Sequence, residues 1–199
     1  MDESGVDLLT LSGHKINGPK GTGALYIRKG ITLAPLLHGG NQEGGLRSGT
    51  ENVAGIAGIG KAAELAGQRL PEMERVALLR DRLERGIRKI APEATLNGSS
   101  QNRLPNTLNI SLPGLRGESV VIAMDQQGVS FSSGSACRSG SPKPSHALLA
   151  MGLSEEKAHC SIRLSLGILT TDEEIDRTID ILETVLKNAG STVRFVPCR

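Results

Sequence analysis

Leu11-Ser12-Gly13-His14-Lys15-Ile16-Asn17-Gly18-Pro19-Lys20-Gly21 is the stretch on which the reading of this chain turns. Val6 to Leu11 runs into it and reads as a buried strand. Thr22 to Arg28, with Leu25-Tyr26-Ile27, reads as the strand that leaves it. Lys15 therefore ends a strand and precedes a glycine-rich turn. That place suits an amine that must form a Schiff base close to backbone amides and hydroxyls able to hold an anion. Ser12 and His14 flank the lysine with such donors. The plain alternative is a solvated surface lysine before a Gly-Pro turn. A nucleotide P-loop is disfavoured, because Pro19 occupies the position after Gly18 where that motif needs Lys.

Downstream, His38 to Thr50 (HGGNQEGGLRSGT) is too rich in glycine for a regular element. It reads as a shaped loop, with a flexible linker as the alternative. Glu51 to Ala66, carrying Ala54, Gly55, Ala57, Gly58 and Gly60, reads as a helix packed closely on something. Pro71 restarts an amphipathic helix whose stripe is Val76, Leu79, Leu83, Ile87 and Ile90. After Pro92 the pattern becomes a compact α/β unit. Its expected strands are Thr107 to Leu112, Val129 to Phe131 and Ser161 to Ser165, and its expected helix is Glu118 to Gln127. A last helix starts at Thr171, where Thr171 and Glu174 can form a capping box, with the stripe Ile175, Ile179, Leu182 and Leu186. The expected organisation is residues 1–70, a connecting helix at 71–91, and an α/β domain at 92–199.

Composition narrows the function. A chain of 199 residues can bury one substantial core, or one core plus part of a second. The net charge of +2, without a basic stripe interleaved with aromatics, argues against a nucleic-acid partner. With two Phe, one Tyr and no Trp, the core must be aliphatic. The first residues show no secretory pattern and no apolar run reaches membrane-spanning length, so a soluble cytoplasmic protein is expected, with no membrane partner. Cys137, Cys160 and Cys198 are odd in number, far apart and without a CxxC pair, so free thiols are expected. His38, His146 and His159 have no mutual spacing that makes a metal site, and no metal is expected.

A second chemical centre lies in Ser132 to His146 (SSGSACRSGSPKPSH), a loop of small polar residues around Cys137. Arg138, with Lys143 further on, favours the thiolate of Cys137. An exposed thiolate on a mobile arm suits a group that collects an atom in one place and delivers it in another; an incidental surface thiol is the alternative. Arg163 lies in an otherwise apolar strand, SIRLS. Its guanidinium fork needs either a structural carboxylate or the α-carboxylate of a substrate.

Taken in order, SGHKINGPKGTGALYIR, HGGNQEGGLRSGTEN, SSGSACRSGSPKPSH and SIRLSLG resemble the cysteine desulfurases of the class V aminotransferase family, over Val6 to about Leu186. The resemblance is closest to the branch that serves iron–sulfur cluster assembly. It implies an α/β chain forming the C-terminal part of a fold-type I transferase dependent on pyridoxal 5'-phosphate: the end of the large domain plus the small domain. It implies that Lys15 links to the cofactor, that Ser12 and His14 hold its phosphate, and that Thr50 reaches the phosphate of the other subunit's cofactor across a homodimer. Arg163 would clamp the carboxylate of L-cysteine. Cys137 would take the sulfur as a persulfide, releasing alanine, and pass it to an acceptor or iron–sulfur scaffold protein. The length of the loop around Cys137 resembles the long-arm group of the family.

In that family the lysine lies near the middle of a chain about twice this long, whereas fourteen residues precede Lys15. The expectation is a C-terminal half, lacking the residues that contact the cofactor ring and most of the large-domain sheet. Its first two strands are then expected to show open edges and an uncovered apolar face. The rival readings are a non-enzymatic sulfur-relay or interaction module, and another class V enzyme such as a selenocysteine lyase or an aminotransferase. The SSGSAC loop argues against a plain aminotransferase, which needs no thiol.

Overall fold

The computed structural model describes residues 5–134 and 144–189. The chain divides between Pro71 and Glu72 into two compact units. The expected connecting helix, 71–91, lies in the second from Glu72 onward, and its apolar stripe is part of that unit's core.

In the first unit, β1 (Leu8–Ser12) and β2 (Gly23–Ile27) form an antiparallel hairpin in which Leu8 faces Ile27 and Ser12 faces Gly23. A 3-10 turn, Gly13–Ile16, follows β1 and ends at Asn17 in the left-handed region, φ 63°. α1 (Val53–Gln68) is capped by Asn52, whose Oδ1 accepts from Gly55 N at 3.1 Å. The small residues of α1 have a clear purpose. A Cβ on Gly58 would lie 2.5 Å from Pro19 Cγ, and one on Gly55 would run into Thr22 Cγ2. Only glycine lets the segment after Lys15 lie directly on the helix. Every residue of β1 is exposed, which corrects the reading of Val6 to Leu11 as a buried strand: among the described residues too little packs on it to bury its leucines. Exposed leucines stand on both faces of the hairpin, Leu8 and Leu25 on one and Leu9 and Leu11 on the other, so the expected uncovered apolar surface is present but is not confined to one face.

The second unit is an antiparallel sheet, ordered β3 (Thr95–Leu96), β4 (Thr107–Ser111), β6 (Ser161–Ser165), β5 (Ser132–Ser133). Its helices are α2 (Met73–Ile90), α3 (Gly117–Asp125), the short α4 (His146–Ala150) and α5 (Glu155–His159), and α6 (Asp172–Ala189). The core joins Val76, Leu79, Leu83 and Ile87 of α2 to Leu108 and Ile110 of β4, Val120 and Met124 of α3, Ile162 and Leu164 of β6, and Ile175, Leu182 and Val185 of α6. Burying each large aliphatic side chain contributes about 1.5–3 kcal/mol. Gly86 lets Ile179 lie against α2, and Arg82 reaches both Asp172 and Asp176 at 2.6 Å. The capping box of α6 forms as expected: Glu174 N donates to Thr171 Oγ1 at 3.2 Å, and Thr171 N to Glu174 Oε2 at 3.0 Å.

One strand lies a few residues from its expected place. Val129 N donates to Met124 O, closing the end of α3, so this N–H is unavailable to a ladder. Val129 and Phe131 pack their side chains on the core instead, and pairing with β6 begins at Ser132, opposite Arg163. None of the described helices is long and apolar enough to cross a membrane.

Candidate functional site

The tight turn after β1 presents three polar side chains in four residues. Ser12, His14 and Lys15 are exposed while Gly13 between them is buried. A Cβ on Gly13 would come 2.7 Å from Thr22 Oγ1, and Thr22 is itself fixed by donating to Pro19 O at 2.8 Å. Gly13 N donates to Thr22 O at 2.9 Å and Gly18 N to Gly13 O at 2.9 Å. The backbone is thus locked by local bonds, and the hydroxyl of Ser12, the ring of His14 and the amine of Lys15 make no hydrogen bond among the described residues. Unpaired donors beside a primary amine fit a group that carries both an anionic phosphate and an aldehyde.

Thr50 belongs to the same unit and follows the glycine-rich loop, which is shaped rather than slack. Ser48 N donates to Leu37 O at 3.4 Å, Ser48 Oγ to Gly40 O at 2.8 Å, and Gly49 N to Gln42 Oε1 at 3.2 Å. A Cβ on Gly40 would sit 2.5 Å from that same Oε1, so the Gln42 amide occupies the space the glycine leaves. Glu43 (φ 50°) and Gly44 (φ 63°) turn the chain through the left-handed region. The Thr50 hydroxyl is exposed and, like the donors of the turn, unpaired among the described residues.

Arg163 stands in the second unit, on β6. Strand alternation puts Leu108, Ile110, Ile162 and Leu164 on the core face and Asn109, Ser111, Ser161 and Arg163 on the other. Arg80, by contrast, bonds Asp81 Oδ1 through Nε (2.9 Å) and Nη2 (2.7 Å), and Arg103 reaches Asp81 and Glu84. Arg163 pairs with no carboxylate among the described residues, and its Nε is buried without a partner. The structural salt bridge weighed in the sequence reading is therefore not formed there. Cys137 lies outside the described residues. Cys160 is 2% exposed and disulfide-bonded, which corrects the expectation of free thiols for this residue: distance along the sequence does not fix distance in the fold.

The protein-family model "Aminotransferase class-V" matches residues 1–178. The chain belongs to the class-V aminotransferase family. Members of this family and the cysteine desulfurases use pyridoxal phosphate. Among curated relatives, "Cysteine desulfurase IscS" of Dictyoglomus turgidum is 51% identical over 188 residues, covering 94% of this chain and 48% of the relative. The protein of the same name from Clostridium botulinum strain Hall is 49% identical over 190 residues, with the same coverage. A solved structure described as a NifS-like protein superposes with a TM-score of 0.84 at 36% identity, covering 94% of this chain and 48% of its own. The chain spans about half the length of the curated relatives it matches.

The sequence reading passed over Asn97, Asn109, Ser111 and Ser161, which form a hydrogen-bonded cluster on the polar face of the second sheet. The signal was available in Thr107-Leu108-Asn109-Ile110-Ser111, where strict alternation sets a polar row against the core row.

Proposed function

We propose that this class-V chain carries the lysine, phosphate-binding and sulfur-transfer elements of a cysteine desulfurase, an enzyme that takes sulfur from L-cysteine and leaves L-alanine. The observation that carries the reading is the turn Ser12–Lys15, where an amine and donors that are unpaired among the described residues stand together on a locked backbone. The names of the relatives at 51% and 49% identity support it.

When bound, pyridoxal 5'-phosphate supplies an electron sink that weakens the carbon–sulfur bond of the substrate. Lys15 Nζ is the attachment point, and the Ser12 hydroxyl and the His14 ring donate to the phosphate. In a homodimer the Thr50 hydroxyl donates to the phosphate held by the other subunit. Arg163 binds the α-carboxylate of the substrate with its planar fork. The Cys137 thiolate bonds to the substrate sulfur as the carbon–sulfur bond breaks, and the carbon left behind takes a proton to become the methyl group of alanine. Cys137 then carries a persulfide for an acceptor protein, such as an iron–sulfur scaffold, in the cytoplasm.

The test is borohydride reduction of the chain incubated with pyridoxal phosphate, followed by peptide mapping, alongside an assay of alanine and sulfide from L-cysteine. A label on Lys15 is expected. A label on Lys20 or Lys29 instead overturns the assignment of the amine.

A further inference from the structure

The polar face of the second sheet holds a chain of hydrogen bonds that ends beside Arg163. Ser161 Oγ donates to the Lys157 carbonyl at 2.7 Å, so its proton is committed and it can only accept from Asn97 Nδ2, at 3.0 Å. Ser111 Oγ, with Ser161 Oγ also at 3.0 Å and the Lys157 carbonyl at 3.3 Å, lies within donating distance of Asn97 Oδ1 at 3.0 Å, which suits the amide orientation that Ser161 sets. Both serines are buried, at 1% and 0% exposure. With Asn97 fixed, its Nδ2 donates to Asn109 Oδ1 at 2.7 Å. Asn109 Oδ1 is thereby held toward Asn97, and its Nδ2 makes no hydrogen bond among the described residues.

Asn109 is the cross-strand partner of Arg163 on the same face of the sheet. Directly opposite residues of an antiparallel pair have Cβ atoms about 4.5–5.5 Å apart. Among the described residues the two side chains thus offer donors to that face: a guanidinium with no carboxylate partner, and an amide NH2 whose oxygen is turned toward Asn97. A site of that kind selects an anion with two acceptor oxygens.

We propose that Asn109 is a second ligand of the substrate α-carboxylate, donating from Nδ2 beside the Arg163 guanidinium, with Asn97, Ser111 and Ser161 as positioning residues that set its amide. This rests on the reading of Arg163 as the carboxylate clamp. Asn109→Asp separates recognition from architecture. The carboxylate still accepts from Asn97, so the strand pairing and its network survive, but the donor is replaced by a negative charge facing the ligand.

The test is a nitrogen-15 NMR titration of the full 199-residue chain with L-alanine, which carries the α-carboxylate without a thiol, and with L-alanine methyl ester, in which the carboxylate is masked. The Arg163 Nε–H and Asn109 Nδ2 signals should move along one saturation curve with alanine and stay still with the ester. Asn109→Asp should keep the backbone spectrum and require on the order of tenfold or more alanine to move Arg163, as expected for losing a hydrogen bond to a charged group. Movement of Arg163 alone, with Asn109→Asp titrating like the parent, overturns the role of Asn109 and leaves that of Arg163 intact. If neither signal moves, the carboxylate role of Arg163 fails and this inference with it. The co-titration in the parent chain decides the matter even if the variant does not fold.

Discussion

The two units are held in shape by different means. In the second, Leu108, Ile110 and Ile162 are wholly buried, and the geometry around Arg163 follows from a sheet clamped between its core and its polar network. In the first, only Gly13, Gly55 and Ala62 are buried among the described residues, while Leu9 stays 41% and Leu25 49% exposed. A two-stranded hairpin is at best marginal by itself in water. Yet the turn carrying Lys15 is well specified, because its shape comes from short-range bonds and from glycines that admit Pro19 and Thr22 onto α1. A local scaffold can therefore define a chemical group's surroundings where burial contributes little.

The largest expected effect is in native-state hydrogen exchange. Amides of β4 and β6 should exchange on the order of a thousandfold or more slowly than those of β1 and β2, since core strands open only with most of the unit's stability. Equal protection would abolish the contrast between the units. Next comes side-chain truncation. Leu83→Ala, at a site 2% exposed, should cost about 2–5 kcal/mol in urea unfolding, whereas Leu9→Ala should stay within about 1 kcal/mol.

Gly86→Ala sharpens the account of the second unit. Alanine gains about 1 kcal/mol in helix propensity, but its methyl group collides with Ile179, and overpacking costs about 1–3 kcal/mol. A net loss of stability is expected, and a gain would mean that the packing of α2 on α6 is loose.

The smallest effect is electrostatic. The carboxyl of Glu173 is held below its ordinary pKa by a backbone N–H bond and by the Thr171 hydroxyl, with burial opposing and Arg82 assisting. A lowered folded pKa contributes stability that is present above the unfolded pKa and is lost as pH falls through the folded value. Fraying at the start of α6 should therefore increase on acidification below the usual carboxylate range. Glu173→Gln should remove that increment, read as the pH dependence of amide exchange at the first turn. An unchanged acid response in the variant would assign the effect to other groups.

Much of this was legible in the sequence wherever the signal is periodic or local. The stripes of α2 and α6, the Thr171–Glu174 box and the glycine-rich loop follow from spacing and turn chemistry, and the structure has them. The exposure of β1 could not come from its own apolar run, since burial is set by what else packs there. The shift from Val129 to Ser132 escaped for a related reason: the Val129 N–H is consumed by a helix end that propensity does not place to the residue. Lys15 and Arg163 stand out in the sequence by residue type and setting, but that Arg163 has no carboxylate partner among the described residues needed coordinates. Asn109 is the instructive omission: alternation in the sequence puts it on the polar row, but its place opposite Arg163 is known only once the strands are paired.

The loop between β2 and α1 draws its closing bonds from its own members: Leu37 with Ser48, Gly40 with Ser48, and Gln42 with Gly49. Such a loop is a portable part. Its conformational entropy is spent within the segment, so its shape does not wait for a neighbouring surface to arrive. Moved onto another strand-to-helix junction with a comparable gap between its ends, it should arrive already folded, and it would tolerate a remodelled hairpin before it better than an exchange at Gln42 or Gly40.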